Sequence, residues 1–108
     1  GTLRWFAPEI LMRPTESNPH SDVFSFGRIV QYVLSRETPM QAMDMENVRA
    51  MHVAGHVHMQ PCFADAGPLV VACWSITAAC LTSEMEARPT MQQLRGSLES
   101  ILAAEEFR

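Results

Sequence analysis

The sequence predicts an all-α domain, and three observations carry that reading. Apolar residues recur at helical spacing in several separate stretches. Helix starts are marked by capping side chains or by proline at the first helical position. No alternating apolar–polar run is long enough to make a strand, residues 53–58 being the best candidate and a poor one. With 108 residues the chain has room for one domain and one core.

Taken in order, Pro8 opens a short helical turn through Leu11, since the N–H that proline lacks is not needed there. Arg13-Pro14 ends the turn, and Thr15 to Pro19 reads as loop. Ser21-Asp22 starts the main helix, with Ser21 as cap and Asp22 placing negative charge at the positive end of the dipole. Val23, Phe26, Val30, Val33 and Leu34 form its apolar stripe, widened by Phe24 and Ile29, and it stops near Arg36 with Pro39 beyond. Gly27, mid-helix, costs about 1 kcal/mol against alanine, which suggests a close backbone approach. Asp44 caps a weaker helix from Met45 to Ala54, ended by Gly55, and Gly55 to Ala66 reads as loop. Pro68 to Leu81 is apolar nearly all round and is expected to be buried on most sides. Ser83 to Ala87 is a polar break. Thr90-Met91-Gln92-Gln93 is a capping box that starts the last helix, with Leu94, Leu98, Ile101 and Leu102 as its stripe. The main helix is expected at the hydrophobic centre, with the Pro68–Leu81 and Thr90–Leu102 helices around it and the Met45–Ala54 helix near the surface.

Composition excludes several function classes. Hydrophobic residues make up 47% and charged residues 19%, as in a globular chain. The formal net charge is −4 and no basic block exists, so nucleic-acid binding has no electrostatic support. The longest apolar run, Pro68 to Trp74, is too short to cross a bilayer. The three cysteines, an odd number, suit a reduced cytoplasmic setting. Cys73 and Cys80 are two helical turns apart, too far to bridge, and read as small core residues. The eight methionines read as core gap-fillers. His52, His56 and His58 precede Cys62, but with no paired C-x-x-C and with Gly55 interrupting the helix they read as partly exposed loop histidines, and no metal site is expected. No nucleophile–histidine–acid arrangement stands out.

The chemistry-bearing signal lies in motifs. Residues 1–9 read Gly-Thr-Leu-Arg-Trp-Phe-Ala-Pro-Glu, and Ala7-Pro8-Glu9 matches the A-P-E that closes the activation segment of protein kinases. Ser21-Asp22-Val23-Phe24-Ser25-Phe26-Gly27 resembles the S-D-V-W-S-F-G start of the central helix in the kinase C-lobe, with Phe24 in place of tryptophan. Arg36-Glu37-Thr38-Pro39 is similar to the loop after that helix. Cys80-Leu81, then Glu86-Ala87-Arg88-Pro89-Thr90, is similar to the family's C-W…R-P-T, with Leu81 in place of tryptophan. Any one match alone is weak; all of them, in family order and spacing, cover essentially the whole chain. The chain therefore resembles the C-terminal part of a protein kinase catalytic domain.

That resemblance implies a partial C-lobe over residues 1–108, lacking the N-lobe and catalytic loop, whose parent transfers the γ-phosphoryl group of ATP to protein substrates with magnesium. Gly1, Thr2, Leu3, Arg4 and Trp5 would form the P+1 wall that faces the substrate peptide. Gly-Thr before Arg-Trp tilts the reading toward Ser/Thr specificity and the tyrosine-kinase-like group. Trp5 would pack on the P+1 loop and the central helix. Glu9 and Arg88 would form a buried ion pair, and Asp22 would tether the catalytic loop. ATP, magnesium and catalytic residues have no counterpart in these 108 residues, which are expected to be inactive alone and to self-associate through apolar surface that upstream helices cover in a whole kinase. Two other classes share the pattern: a pseudokinase or scaffold C-lobe that binds partners, and an unrelated helical interaction domain, which would leave Glu9 and Arg88 apart. The substrate, the pathway and the parent's other domains are not encoded here.

Overall fold

The computed structural model describes residues 2–13, 18–59 and 66–106, with backbone alone at Thr2 and Leu3. A 3₁₀ turn, Thr2–Trp5, leads into α1 (Pro8–Met12), α2 (Pro19–Ser35), α3 (Met45–Val53), α4 (Pro68–Cys80), a second 3₁₀ turn (Met85–Ala87) and α5 (Met91–Glu106). No strand occurs among the described residues, and residues 53–58 are helix end, turn and loop. The all-α reading holds.

Local chemistry explains most boundaries. Asp44 Oδ1 accepts from the Asn47 N–H at 2.8 Å and starts α3, and Gly55 leaves that helix with φ +81°. The Thr90 hydroxyl accepts from the Gln93 N–H at 3.1 Å while the Gln93 side chain accepts from the Thr90 N–H at 2.9 Å, closing the capping box ahead of α5. The start of α2 differs from expectation. Asn18, not Ser21, is its cap: Asn18 Oδ1 accepts from the Ser21 N–H at 3.0 Å, and Pro19 occupies the first helical position. Proline there is favourable for the reason that applies at Pro8, so both the cap and the helix start lie three residues earlier than the serine suggests. The Ser83–Ala87 break contains the unexpected 3₁₀ turn Met85–Ala87.

Packing centres on α2 against α4. One apolar cluster joins Val23, Ile76, Cys80 and Leu94, with Phe26, Leu98 and Ile101 against it, so α5 reaches α2 through the α4 side chains. A second joins Ala7, Phe24 and Leu81, with Ile10, Val57 and Met59. Gly27 lies at the contact. A Cβ there would fall 2.6 Å from Cys80 Cβ and 3.2 Å from Leu81 Cδ2, which is the close approach its position implied.

The predicted stripes are partly displaced. Ile29 is 55% and Val33 64% exposed, whereas Arg28 and Gln31 are buried with Val23 and Phe24. The inward face of α2 follows its contacts with α4 and with the segment after α3, not the longest apolar periodicity. Leu69 and Val71 of α4 and Leu102 of α5 are likewise exposed, so α4 is not buried on most sides. Cys73 is only half-buried while Cys80 is buried, and both are free thiols.

Gly27→Ala is expected to destabilise the chain by about 1–3 kcal/mol, because the neighbour it meets is Cβ rather than a yielding side-chain tip. Gly96→Ala, on α5 with nothing within 4 Å of its added Cβ, should instead gain about 0.5–1 kcal/mol. Opposite shifts of the urea midpoint at unchanged slope are the measurement.

Candidate functional site

Glu9 leaves the first turn of α1, and Arg88 follows the Met85–Ala87 turn, 79 residues later. They meet in a bidentate ion pair: Nη1 donates to Oε2 at 2.6 Å and Nη2 to Oε1 at 2.9 Å. The remaining donors of Arg88 are also used. Nε donates to the Thr82 carbonyl at 2.8 Å, Nη1 to the His20 carbonyl at 3.0 Å and Nη2 to the Ser83 carbonyl at 3.3 Å. The guanidinium carbon lies 4.9 Å from the Phe24 ring centroid. Five donors therefore find acceptors on α1, the first turn of α2 and the loop after α4, with an aromatic face as support.

Ser21, released from capping, donates its hydroxyl to Glu9 Oε2 at 2.7 Å. Burial pushes the Glu9 carboxyl up, but the hydrogen bonds from Arg88 and Ser21 and the Arg88 charge outweigh it and hold the group below the usual carboxylate range. Burial likewise pushes the Cys80 thiol up to about 11 against the opposing Arg88 charge, so it is an inert core residue.

The opening segment is anchored at two points. Arg4 donates Nη1 to the Pro39 carbonyl at 3.4 Å and to that of Met40, and Nη2 to the carbonyl of Met43. It thus pins the Thr2–Trp5 turn to the loop after α2. The Trp5 ring meets Tyr32 of α2 edge-on at 5.6 Å between centroids, and the Ser25 hydroxyl donates to the Trp5 carbonyl at 3.0 Å. Gly1 lies outside the described residues, as do the side chains of Thr2 and Leu3. Asp22 is exposed on the first turn of α2, where its charge complements the helix dipole. The structure thus brings Glu9 and Arg88 together, holds Arg4 and Trp5 against α2 and its following loop, and leaves Asp22 apart from both.

The histidine reading needs correction. His52 is no loop residue: it lies in α3, is 1% exposed and stands edge-on to Phe24 at 6.2 Å. His56 is exposed and His58 half-buried, while Cys62 lies outside the described residues. No three metal-binding side chains come together among the described residues. Burial, then the charge of nearby Arg28, pushes His52 down to about 4. Sequence reasoning missed Arg28 itself, a fully buried cation in a helix read as apolar; the one signal was a charge three residues ahead of Gln31 on the same helical face.

The protein kinase domain model matches residues 1–97. The chain belongs to the protein kinase domain family. It is 31% identical to the receptor-type guanylate cyclase gcy-14 of Caenorhabditis elegans over 92% of this chain and 10% of that protein. It is 30% identical to a mitogen-activated protein kinase kinase kinase of Drosophila melanogaster, over 94% of this chain and 8% of that one. Guanylate cyclase D of Mus musculus matches at 29%, over 92% and 9%. The chain thus spans a tenth or less of the length of these relatives. Within this kinase-family chain, the Glu9–Arg88 pair joins the A-P-E segment to the R-P-T segment, the two motifs furthest apart in sequence.

Glu9→Gln leaves Arg88 buried without a counter-charge and is expected to cost about 3–5 kcal/mol in chemical denaturation. Acid acts in two windows. His52 is neutral in the fold and binds its proton more readily unfolded, so stability is greatest above about pH 6.5 and falls as pH drops toward 4. Glu9 has a lowered carboxyl, so its contribution is present above 4.5 and lost as pH falls through its folded value. His52→Phe should remove the upper window, at most on the order of 3 kcal/mol, and leave the lower one.

Proposed function

We propose that this chain is the substrate-facing and anchoring part of a Ser/Thr protein kinase domain of the tyrosine-kinase-like group, spanning residues 1–108 as the C-terminal portion of that domain and working in the reduced cytoplasm. The observation that supports this most is the bidentate pairing of a half-buried Glu9 carboxylate with the buried Arg88 guanidinium in a chain matched by the kinase domain model. Phosphoryl transfer depends on positioning and charge stabilisation more than on covalent chemistry by the protein. On this reading, magnesium and ATP are handled by parts of the domain outside these residues. Residues Gly1, Thr2, Leu3, Arg4 and Trp5 form the wall that receives the residue after the phosphoacceptor. Arg4 sets the position of that wall by its bonds to the loop after α2, and Glu9–Arg88 holds the segment's far end. Asp22 would accept from the catalytic-loop backbone.

A second reading has a specific observation in its favour. Two of the three relatives described above are named for cyclase activity, not phosphotransfer. The same scaffold then serves as a partner-binding pseudokinase lobe. Both readings agree that the isolated chain neither binds ATP nor transfers phosphate. They also agree that Ile29 and Val33, two exposed aliphatics one turn apart on α2, belong to a face that is covered in the whole domain and self-associates when bare.

With labelled ATP, magnesium and a mixed peptide library, the 108-residue chain is expected to give no transfer, and the intact domain to label serine and threonine only. Label on tyrosine would overturn the specificity. An intact, folded domain with no transfer on any residue would select the pseudokinase reading. ATP-dependent labelling by the 108-residue chain alone would refute its assignment as a non-catalytic part.

A further inference from the structure

The methionines after α2 form a pattern that the kinase motifs do not absorb. Residues 40–45 read Met-Gln-Ala-Met-Asp-Met. Met40 and Met43 stand at the two ends of a turn, closed by the Met43 N–H donating to the Met40 carbonyl at 3.0 Å. Such a turn keeps its end residues within about 7 Å between Cα atoms. Met40 has φ +52°, in the left-handed region that a residue with a side chain seldom enters. A conformation of that kind persists only where the surroundings fix it. Arg4 supplies part of the fixing, by donating to the carbonyls of Pro39, Met40 and Met43.

Both methionines line one cavity of about 540 Å3, together with Glu37, Gln41, Ala42 and His58. His58 comes from the segment that follows α3, so two stretches of chain meet in this wall. Its backbone is pinned, because its carbonyl accepts from Arg28 Nη1 at 2.7 Å. Its ring Nδ1 has no hydrogen-bond partner.

Two thioethers and one imidazole make a soft, neutral donor set. Thioether sulfur selects copper(I), and imidazole also suits copper. Zinc, calcium and magnesium ask instead for thiolates, several imidazoles or carboxylates. No three His, Cys, Asp or Glu side chains come together among the described residues. Glu37 in the same wall offsets the single positive charge that copper(I) brings, while the Arg4 charge is shared among three backbone carbonyls. Gap-filling accounts for a buried methionine, but not for its left-handed backbone or for a histidine in the same wall.

We propose that Met40, Met43 and His58 form a copper(I) site, with the two sulfurs and one ring nitrogen as ligands and Glu37 as the neighbouring counter-charge. The ion ties the turn after α2 to the segment after α3 and, through Arg4, bears on the Thr2–Trp5 turn. The site is separate from the Glu9–Arg88 anchor and does not depend on phosphotransfer.

The test uses the 108-residue chain with its accessible thiols alkylated, since half-buried Cys73 would compete for a soft ion. Silver(I) serves as a redox-inert probe of the same charge, read on the methionine ε-methyl and His58 ring resonances. Copper(I) affinity is then measured by competition with a chromophoric chelator. Silver(I) is expected to move the Met40, Met43 and His58 signals together and saturably, and to leave the exposed Met12 and Met91 in place. Zinc(II) should leave all of them in place. Met43→Leu keeps the volume but loses the sulfur, and should weaken copper(I) at least about tenfold, whereas Met12→Leu should not change it. Methionines that shift alike throughout the chain, methionine shifts without His58, no shift, an equal response to zinc(II), or an unweakened Met43→Leu would each overturn the proposal.

Discussion

Burying a guanidinium is costly unless its charge and its five donors are met, and Arg88 is a case in which all of them are. Its position after a 3₁₀ turn, at the end of a loop with free carbonyls, supplies acceptors from Thr82 and Ser83, and the first turn of α2 supplies His20. None of these carries charge. Glu9 does, and it sits on a five-residue helix too short to be stable by itself. The ion pair therefore works in both directions: α1 is held in place by Arg88, and Arg88 is tolerated in the interior because α1 delivers a carboxylate. Ser21 adds a third member and ties the pair to the central helix.

Phe24 shows how an aromatic ring can organise charge. Both guanidiniums approach it, and His52 meets it edge-on. The ring offers each cation an attractive π system, which offsets only part of the desolvation cost of a buried charge. What differs is the hydrogen-bond shell. Around Arg88 the chain provides a carboxylate and three carbonyls; around Arg28 it provides one amide and one carbonyl. Position relative to loop carbonyls, not residue type, separates a satisfied buried arginine from an unsatisfied one.

Features set by contiguous residues were legible in the sequence. The Asp44 cap, the Thr90–Gln93 box, the turn at Gly55 and the proline starts of α1 and α4 each depend on a few neighbouring side chains, and the structure follows them. Gly27 was legible for a different reason: glycine in mid-helix is unfavourable unless something must come close, and Cys80 does. The facing of α2 was not legible, because its burial is decided by partners far along the chain. Ile29 and Val33 fit an apolar period as well as Val23 does, yet no described element covers them, whereas Arg28 and Gln31 turn inward beneath the segment that follows α3. His52 was misjudged because a helix can bury a polar ring on the one face it turns to its neighbour. Pro19 was misjudged because proline signals both a loop and a first helical residue, and only the Asn18 cap tells which.

The same division between local and distant constraint bears on function. The charged motif residues Glu9 and Arg88 are used up in structure: their side-chain donors and acceptors are bonded to other parts of the scaffold, so they can position a peptide wall but have nothing left for a substrate. Arg4 is in the same condition, its bonds going to backbone carbonyls of the loop after α2. The buried side-chain atoms without a protein partner lie where the family motifs do not reach, in the polar layer between α2 and the His56–Met59 loop.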